Sequence, residues 1–198
     1  MSLRFSYTLI APFYDAAIRR ATSGIRAQSL GYLPDKGGLR VLVDGIGTGL
    51  DLPYLPPCHH YIGLDLTAVM LRRARSHNSN LQICWVQGDS LSLPFADNSF
   101  DHVVLHLILA VVPDPVRCLR ETVRVLRSGG SVLILDKFLR RNKRAWLRRA
   151  LNPLTARIAT RLDVVFEDVL DNVPGLRVEF DTPVLAKGWF RNIRLVKI

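Results

Sequence analysis

The sequence predicts an α/β protein built on a doubly wound, mostly parallel seven-stranded sheet with an antiparallel C-terminal strand. Three observations predict it. Apolar runs of strand length alternate with helix-like segments, the order that puts helices on both faces of a parallel sheet. A glycine-rich turn follows the first of these runs directly. Near the C-terminus two strand-like runs have no helical pattern between them, so they can pair as a closing antiparallel unit.

Leu39 to Val43 reads as the first strand, entered from the turn at Gly37 and Gly38. His60 to Leu64 reads as the second, and Thr67 to His77 as a helix with Thr67 as N-cap and Arg72, Arg73 and Arg75 favouring its C-terminal end. Leu81 to Val86 gives a third strand and Phe100 to Leu105 a fourth, apolar enough to lie centrally in a sheet covered on both faces. After Pro113 and Pro115 a helix runs to about Arg127, closed by Gly129 and Gly130. Ser131 to Leu135 is the fifth strand, and Leu176 to Phe180 and Phe190 to Lys197 are the closing pair. A partly helical segment from Arg140 to Leu162 is broken near Pro153. No repeat or low-complexity tract interrupts this order, so residues 1–198 read as one domain.

The 198 residues are 48% hydrophobic and 22% charged, a balance that excludes disorder as the default. The net charge of +10 should attract an anionic partner: nucleic acid, an acidic membrane surface or an acidic small molecule. Cys58, Cys84 and Cys118 are odd in number and far apart, so no disulfide framework is suggested. Cys58, His59 and His60 lack a second ligand pair at a plausible spacing; they read as a surface loop, and no metal is expected. The most apolar stretch, Val103 to Val112, is too short to span a bilayer. A cytoplasmic protein is expected, with a place on the inner membrane face left open.

The strongest local signal is Asp44-Gly45-Ile46-Gly47-Thr48-Gly49, directly after the first strand. Glycines there let backbone approach a ligand closely. The spacing differs from the dinucleotide pattern, and Asp44 would repel a pyrophosphate but attract an ammonium. Pro53, Pro56 and Pro57 leave no long helix to offer its dipole to a phosphate. Asp65, ending the second strand, can accept from both hydroxyls of a ribose, as in a Rossmann-like nucleotide site. Asp89, followed by Ser90 at the end of the third, can accept from an adenine amino group while the next backbone N–H meets a ring nitrogen. All three acids stand at the carboxyl ends of successive strands, where open α/β sheets bind ligands.

Val41 to Gly49, Ile62 to Leu71, Gly88 to Asp101 and Leu126 to Ile134 resemble the ordered motifs of class I S-adenosylmethionine-dependent methyltransferases, over about half of the chain. The resemblance implies a Rossmann-like fold, S-adenosyl-L-methionine as cofactor and S-adenosyl-L-homocysteine as product. It implies that Asp44 with the backbone of the loop Gly45, Ile46, Gly47, Thr48 and Gly49 holds the methionine moiety. Asp65 and Leu66 would meet the ribose side, Met70 would lie near the adenine, and Asp89 with Ser90 would read its edge. Ser128 departs from the proline that usually precedes the paired glycines. Tyr7, Ala11, Tyr14 and Asp15 resemble the N-terminal segment of quinone-biosynthesis C-methyltransferases, which covers the cofactor. Gly47 to Pro53 looks more like the loop of bacterial phosphatidylethanolamine N-methyltransferases. Both groups act on membrane substrates.

Methyl transfer is an in-line displacement, so holding nucleophile and methyl in a near-attack geometry supplies much of the catalysis. His106, at the carboxyl end of the fourth strand, is placed to take a proton from an acceptor or to touch the cofactor ammonium through its carbonyl. Tyr7 and Tyr14 share a face if helical, and as part of a lid over residues 1–30 their rings or hydroxyls would meet the sulfonium or an amine. Tyr14 joins His106 as a catalytic candidate, and Tyr7 joins the cofactor set. Between Lys137 and Arg161 there are nine lysines and arginines and no acid. This basic region, 138–165, carries Trp146 and reads as an amphipathic surface for an anionic membrane or as a solvated face. Nucleic acid ranks below both, because no base-stacking series accompanies the charge. The expected partner is a phospholipid amine or quinone-type substrate. A soluble small-molecule methyltransferase and a non-catalytic cofactor-binding protein are the alternatives.

Overall fold

The computed structural model describes residues 22–77, 80–139, 164–185 and 188–198. Helix α1 covers 22–30, followed by β1 (Arg40–Asp44), a 3-10 turn (Leu52–Tyr54), β2 (His60–Asp65), α2 (Ala68–His77) and β3 (Gln82–Gln87). Then come β4 (Phe100–His106), α3 (Pro115–Val125), β5 (Leu126–Lys137), α4 (Phe166–Asp171), β6 (Leu176–Leu185) and β7 (Phe190–Lys197). Tyr7, Tyr14 and the segment Arg140 to Leu162, with nearly all of the basic stretch, lie outside the described residues.

The strands form one seven-stranded sheet in the order β3-β2-β1-β4-β5-β7-β6. The first five are parallel, and β7 runs antiparallel between β5 and β6. This is the expected fold. Chain order reverses at β1 and β4, which makes the crevice above their carboxyl ends the place for a ligand.

Alternation within each strand feeds two cores. Leu42, Val103, Leu105, Ile134 and Ile193 pack with Cys118, Leu119 and Val125 of α3 and with Phe166 and Val169 of α4. Val41, Val43, Val104 and Leu133 pack with Leu30 of α1 and with Leu71 and Ala74 of α2. Both faces are buried, which is why the central strands read as continuous apolar runs. Asp114 starts α3 by accepting from the Arg117 N–H at 2.9 Å, with Pro115 at the first helical position. Arg191 joins Glu167 of α4, at 2.9 Å, to Asp181 of β6 and so clamps the closing hairpin.

Most strand bounds shift by a residue or two, and β5 and β6 are longer than the sequence reading; other departures have local causes. The helix after Pro115 stops at Val125 rather than near Arg127, because Leu126 is extended and pairs with Phe100. Gly129 and Gly130 therefore lie inside β5; a Cβ on Gly130 would stand 2.6 Å from the Asp101 carbonyl oxygen. His59 is not on a surface loop. It is 1% exposed and its Nε2 meets the Pro34 carbonyl at 2.9 Å, whereas His60 opens β2 as read. The six-residue α4 has no side-chain cap and left no sequence signal.

Candidate functional site

The carboxyl end of β1 delivers the chain into the loop of residues 45–49, where Gly45, Gly47 and Gly49 all have positive φ. Two of these glycines do different work. A Cβ at Gly45 would sit 2.3 Å from Ile108, so this glycine lets the segment after β4 close over the loop. At Gly47 the nearest such neighbour is the Gly45 carbonyl oxygen at 3.9 Å, leaving its backbone open to a ligand. Ile46 is buried and its N–H donates to the Leu64 carbonyl; Thr48 is buried and its carbonyl meets His77 Nδ1 at 3.1 Å. The short 3-10 turn at Leu52–Tyr54 confirms that no long helix follows the loop.

Asp44 is 1% exposed. Its Oδ1 accepts from the Ser90 hydroxyl at 2.6 Å, and its Oδ2 is buried without a partner. Burial pushes its carboxyl up to about 7 against the Ser90 hydrogen bond, and the charges of Asp65 and Asp89 push the same way. A buried anionic oxygen with no counter-charge favours a cation beside it. The Ser90 side chain is thus engaged with Asp44, while the part expected of Ser90 at an adenine edge falls to its backbone N–H. Asp89 beside it is exposed and accepts from the Leu91 N–H at 2.9 Å.

Asp65 is half-buried, and it knits the site together. Its Oδ2 accepts from Gly47 N–H at 3.0 Å, and its Oδ1 accepts from the Thr67 N–H at 2.9 Å and hydroxyl at 3.2 Å. Burial raises its pKa against these hydrogen bonds. An ionised carboxylate has about four acceptor positions, so some capacity remains for a ligand hydroxyl. Thr67 also accepts from the Met70 N–H at 3.4 Å, the expected cap of α2. Met70 is buried, whereas Leu66 is 43% exposed at the rim.

His106 is held more tightly than the sequence implied. Its ring is enclosed, with Nδ1 2.8 Å from Asp51 Oδ1 and Nε2 3.0 Å from Ser29 Oγ. A carboxylate only accepts, so Nδ1 carries the hydrogen, and in the neutral ring Nε2 accepts from Ser29. The lone pair that a base would use is occupied by helix α1. Arg26 completes the chain by donating from Nη1 to Asp51 Oδ1 at 2.6 Å. Burial works to raise the Asp51 pKa, but Arg26 and His106 outweigh it and hold the carboxyl well below the usual range. Arg26, Ser29 and Asp51 were missed in the sequence. The available signal was a lone acid inside the apolar run Leu50-Asp51-Leu52-Pro53.

The chain turns sharply at Leu107, whose φ is +59°, and its N–H donates to the Leu135 carbonyl. Asp136 then holds the segment by accepting from the Ala110 N–H at 3.0 Å. Glycine loop, Asp51, His106 and Ile108 thus form a closed circuit of contacts. Its function is to fix the two loops that border the crevice.

A family model described as a methyltransferase domain matches residues 42–134. The chain is 33% identical to a phosphatidylethanolamine N-methyltransferase of Cereibacter sphaeroides over 186 residues, 91% of each protein. It is 35% identical to a ubiquinone/menaquinone biosynthesis C-methyltransferase of Roseobacter denitrificans, over 66% of this chain and 56% of that protein. The fold matches a SAM-dependent methyltransferase structure from Thermotoga maritima with a TM-score of 0.70, at 20% identity over 98% and 99% of the two chains. The chain belongs to the methyltransferases that use S-adenosylmethionine.

The residues present fit that cofactor. The unpartnered Asp44 Oδ2 suits its ammonium, the open face of Gly47 suits close approach of its methionine moiety, and Asp65 retains acceptor capacity for its ribose. Asp65→Ala is expected to weaken cofactor binding at least a hundredfold, read by titration calorimetry. It removes an acceptor suited to the ribose together with the bond from the Gly47 N–H. A folded variant with unchanged affinity would remove Asp65 from the site.

Proposed function

We propose that this methyltransferase acts on a membrane-associated acceptor, a phospholipid amine. The observation that carries the reading is the similarity to the phosphatidylethanolamine N-methyltransferase across 91% of both chains. The quinone-ring alternative rests on the second relative, which matches over a smaller share of its length. Among the described residues no helix is long and apolar enough to cross a membrane. An acceptor in the bilayer would therefore be reached from its surface by these parts of the chain.

When bound, S-adenosylmethionine supplies a methyl group on a sulfonium that is already a good leaving group. Asp44 and the glycine loop hold its amino-acid end, Asp65 orients its ribose, and Met70, Asp89 and the Ser90 backbone border the adenine. The segment from Leu107 to Val112 closes over the loop through Ile108 and excludes water from the reacting centre. In this arrangement His106 is a positioning residue: Asp51 fixes its tautomer, and Ser29 satisfies its second nitrogen. The part expected of Tyr7 and Tyr14 in a cover over the cofactor falls outside the described residues.

The test uses methyl-labelled S-adenosylmethionine with a detergent-dispersed total lipid extract, followed by organic extraction and chromatography. Label in the phospholipid fraction is the expected result. Label confined to quinones would select the second reading, and label left entirely in the aqueous phase would overturn both.

A further inference from the structure

At the end of the sheet away from the hairpin, β3 is an edge strand, and α2 packs beside it. Between them lies a groove of about 370 Å3, lined by Ala68, Leu71, Arg72, Arg75, Trp85 and Gln87. Its floor is apolar and its rim cationic. Arg72 and Arg75 are exposed and have no carboxylate partner among the described residues. The Arg75 guanidinium stands 6.0 Å from the centre of the half-buried Trp85 ring. Helix α2 contains three arginines and a histidine but no acid. Leu66, 43% exposed, lies in the turn that leads into it.

We propose that this groove rests on the anionic phospholipid surface of a membrane. The inference builds on the reading of a membrane-associated acceptor and adds the face that meets the bilayer. Charge complementarity selects the partner. A guanidinium fork matches a phosphate bidentately, and exposed arginines with no carboxylate partner among the described residues are free to make that match. An indole flanked by arginines suits the headgroup level, where its apolar body and polar edge are both satisfied. A nucleic-acid strand would want a series of stacking platforms, and Trp85 is the single aromatic side chain lining the groove. Helix α2 starts three residues after Asp65, so a membrane seated here borders the ribose and adenine side of the cofactor site.

The experiment uses the full chain carrying Trp146→Phe and Trp189→Phe, so that Trp85 alone reports. It is mixed with vesicles of phosphatidylcholine and phosphatidylglycerol, with or without brominated acyl chains. Trp85 emission is expected to shift to the blue and to be quenched by the brominated lipid. In the otherwise unsubstituted chain, Arg72→Glu with Arg75→Glu should weaken vesicle binding at least tenfold. Cofactor affinity and methyl transfer into detergent-dispersed lipid should stay unchanged in that variant, since neither arginine touches the site. Absence of quenching, or vesicle binding unaffected by the charge reversal, would overturn the proposal. Detergent-dispersed lipid offers no membrane surface, so methylation there tests the acceptor reading separately. Lipid methylation without Trp85 quenching sinks the groove and leaves the acceptor standing.

Discussion

Asp44→Asn is expected to abolish measurable S-adenosylmethionine binding and, at pH 8, to raise the melting temperature of the cofactor-free protein. The two effects share one cause. Asp44 is buried, has a single hydrogen bond from Ser90, and lacks a partner on Oδ2. Its carboxyl titrates near 7 instead of the ordinary 3.8, first because burial disfavours the charged form. The sign follows from linkage: a raised folded-state pKa gives stability that is fully present below pH 3.8 and lost as pH rises through about 7. At pH 8 the ionised group therefore costs the empty protein roughly 4 kcal/mol relative to acid. Asparagine keeps the acceptor for Ser90 and removes the charge. A gain of about 1–3 kcal/mol, or roughly 3–8 °C in a chain of this size, is expected by scanning fluorimetry. Added cofactor should shift the wild type upward and leave the variant where it was. Retained affinity in Asp44→Asn would remove the ammonium from this carboxylate.

The same titration gives a pH dependence. Only ionised Asp44 attracts the ammonium, so affinity should rise with pH up to about 7. It should fall again above about 8, where an α-amino group loses its proton. About tenfold weaker binding for each pH unit below 7 is expected in calorimetry, and a flat acid limb would contradict the assignment.

The parallel strands and the ligand end of the sheet were legible in the sequence for a physical reason. Strands buried on both faces read as unbroken apolar runs, and acids at their carboxyl ends stand out against them. Asp44, Asp65 and Asp89 were found by that contrast. What pairs with what was not legible. The Ser90 hydroxyl belongs to Asp44, 46 residues away. Asp65 serves the backbone of Gly47 as well as any ribose. His106 could be recognised as a polar residue at a strand end, but its ring partners come from positions 77 and 55 residues distant. Helix α1 was hidden for a related reason. Gly24 interrupts its pattern, and its burial comes from Ser29 and Arg26 as much as from Leu30. Periodicity detects apolar faces and is blind to a helix docked through polar groups.

That docking makes the largest stability prediction. Asp51→Ala removes the shared acceptor of Arg26 and His106 and strands a buried guanidinium; Arg26 and Asp51 are only 5% and 3% exposed. Breaking one partner of such a pair costs about 3–5 kcal/mol, a large part of the stability of an ordinary domain. Denaturant titration should show it. Replacing both members with apolar residues of similar volume, Arg26→Met with Asp51→Leu, should cost less than Asp51→Ala alone, because no unpaired charge stays inside. If the double variant is the less stable of the two, the ion pair contributes more than its desolvation costs. The pH behaviour is opposite to that of Asp44. A carboxyl held well below its ordinary range stabilises the fold at every pH above that range, and its contribution is lost only as the solution becomes strongly acid. From pH 5 to 9 the Arg26–Asp51 ion pair should therefore keep both its charges while Asp44 changes its own.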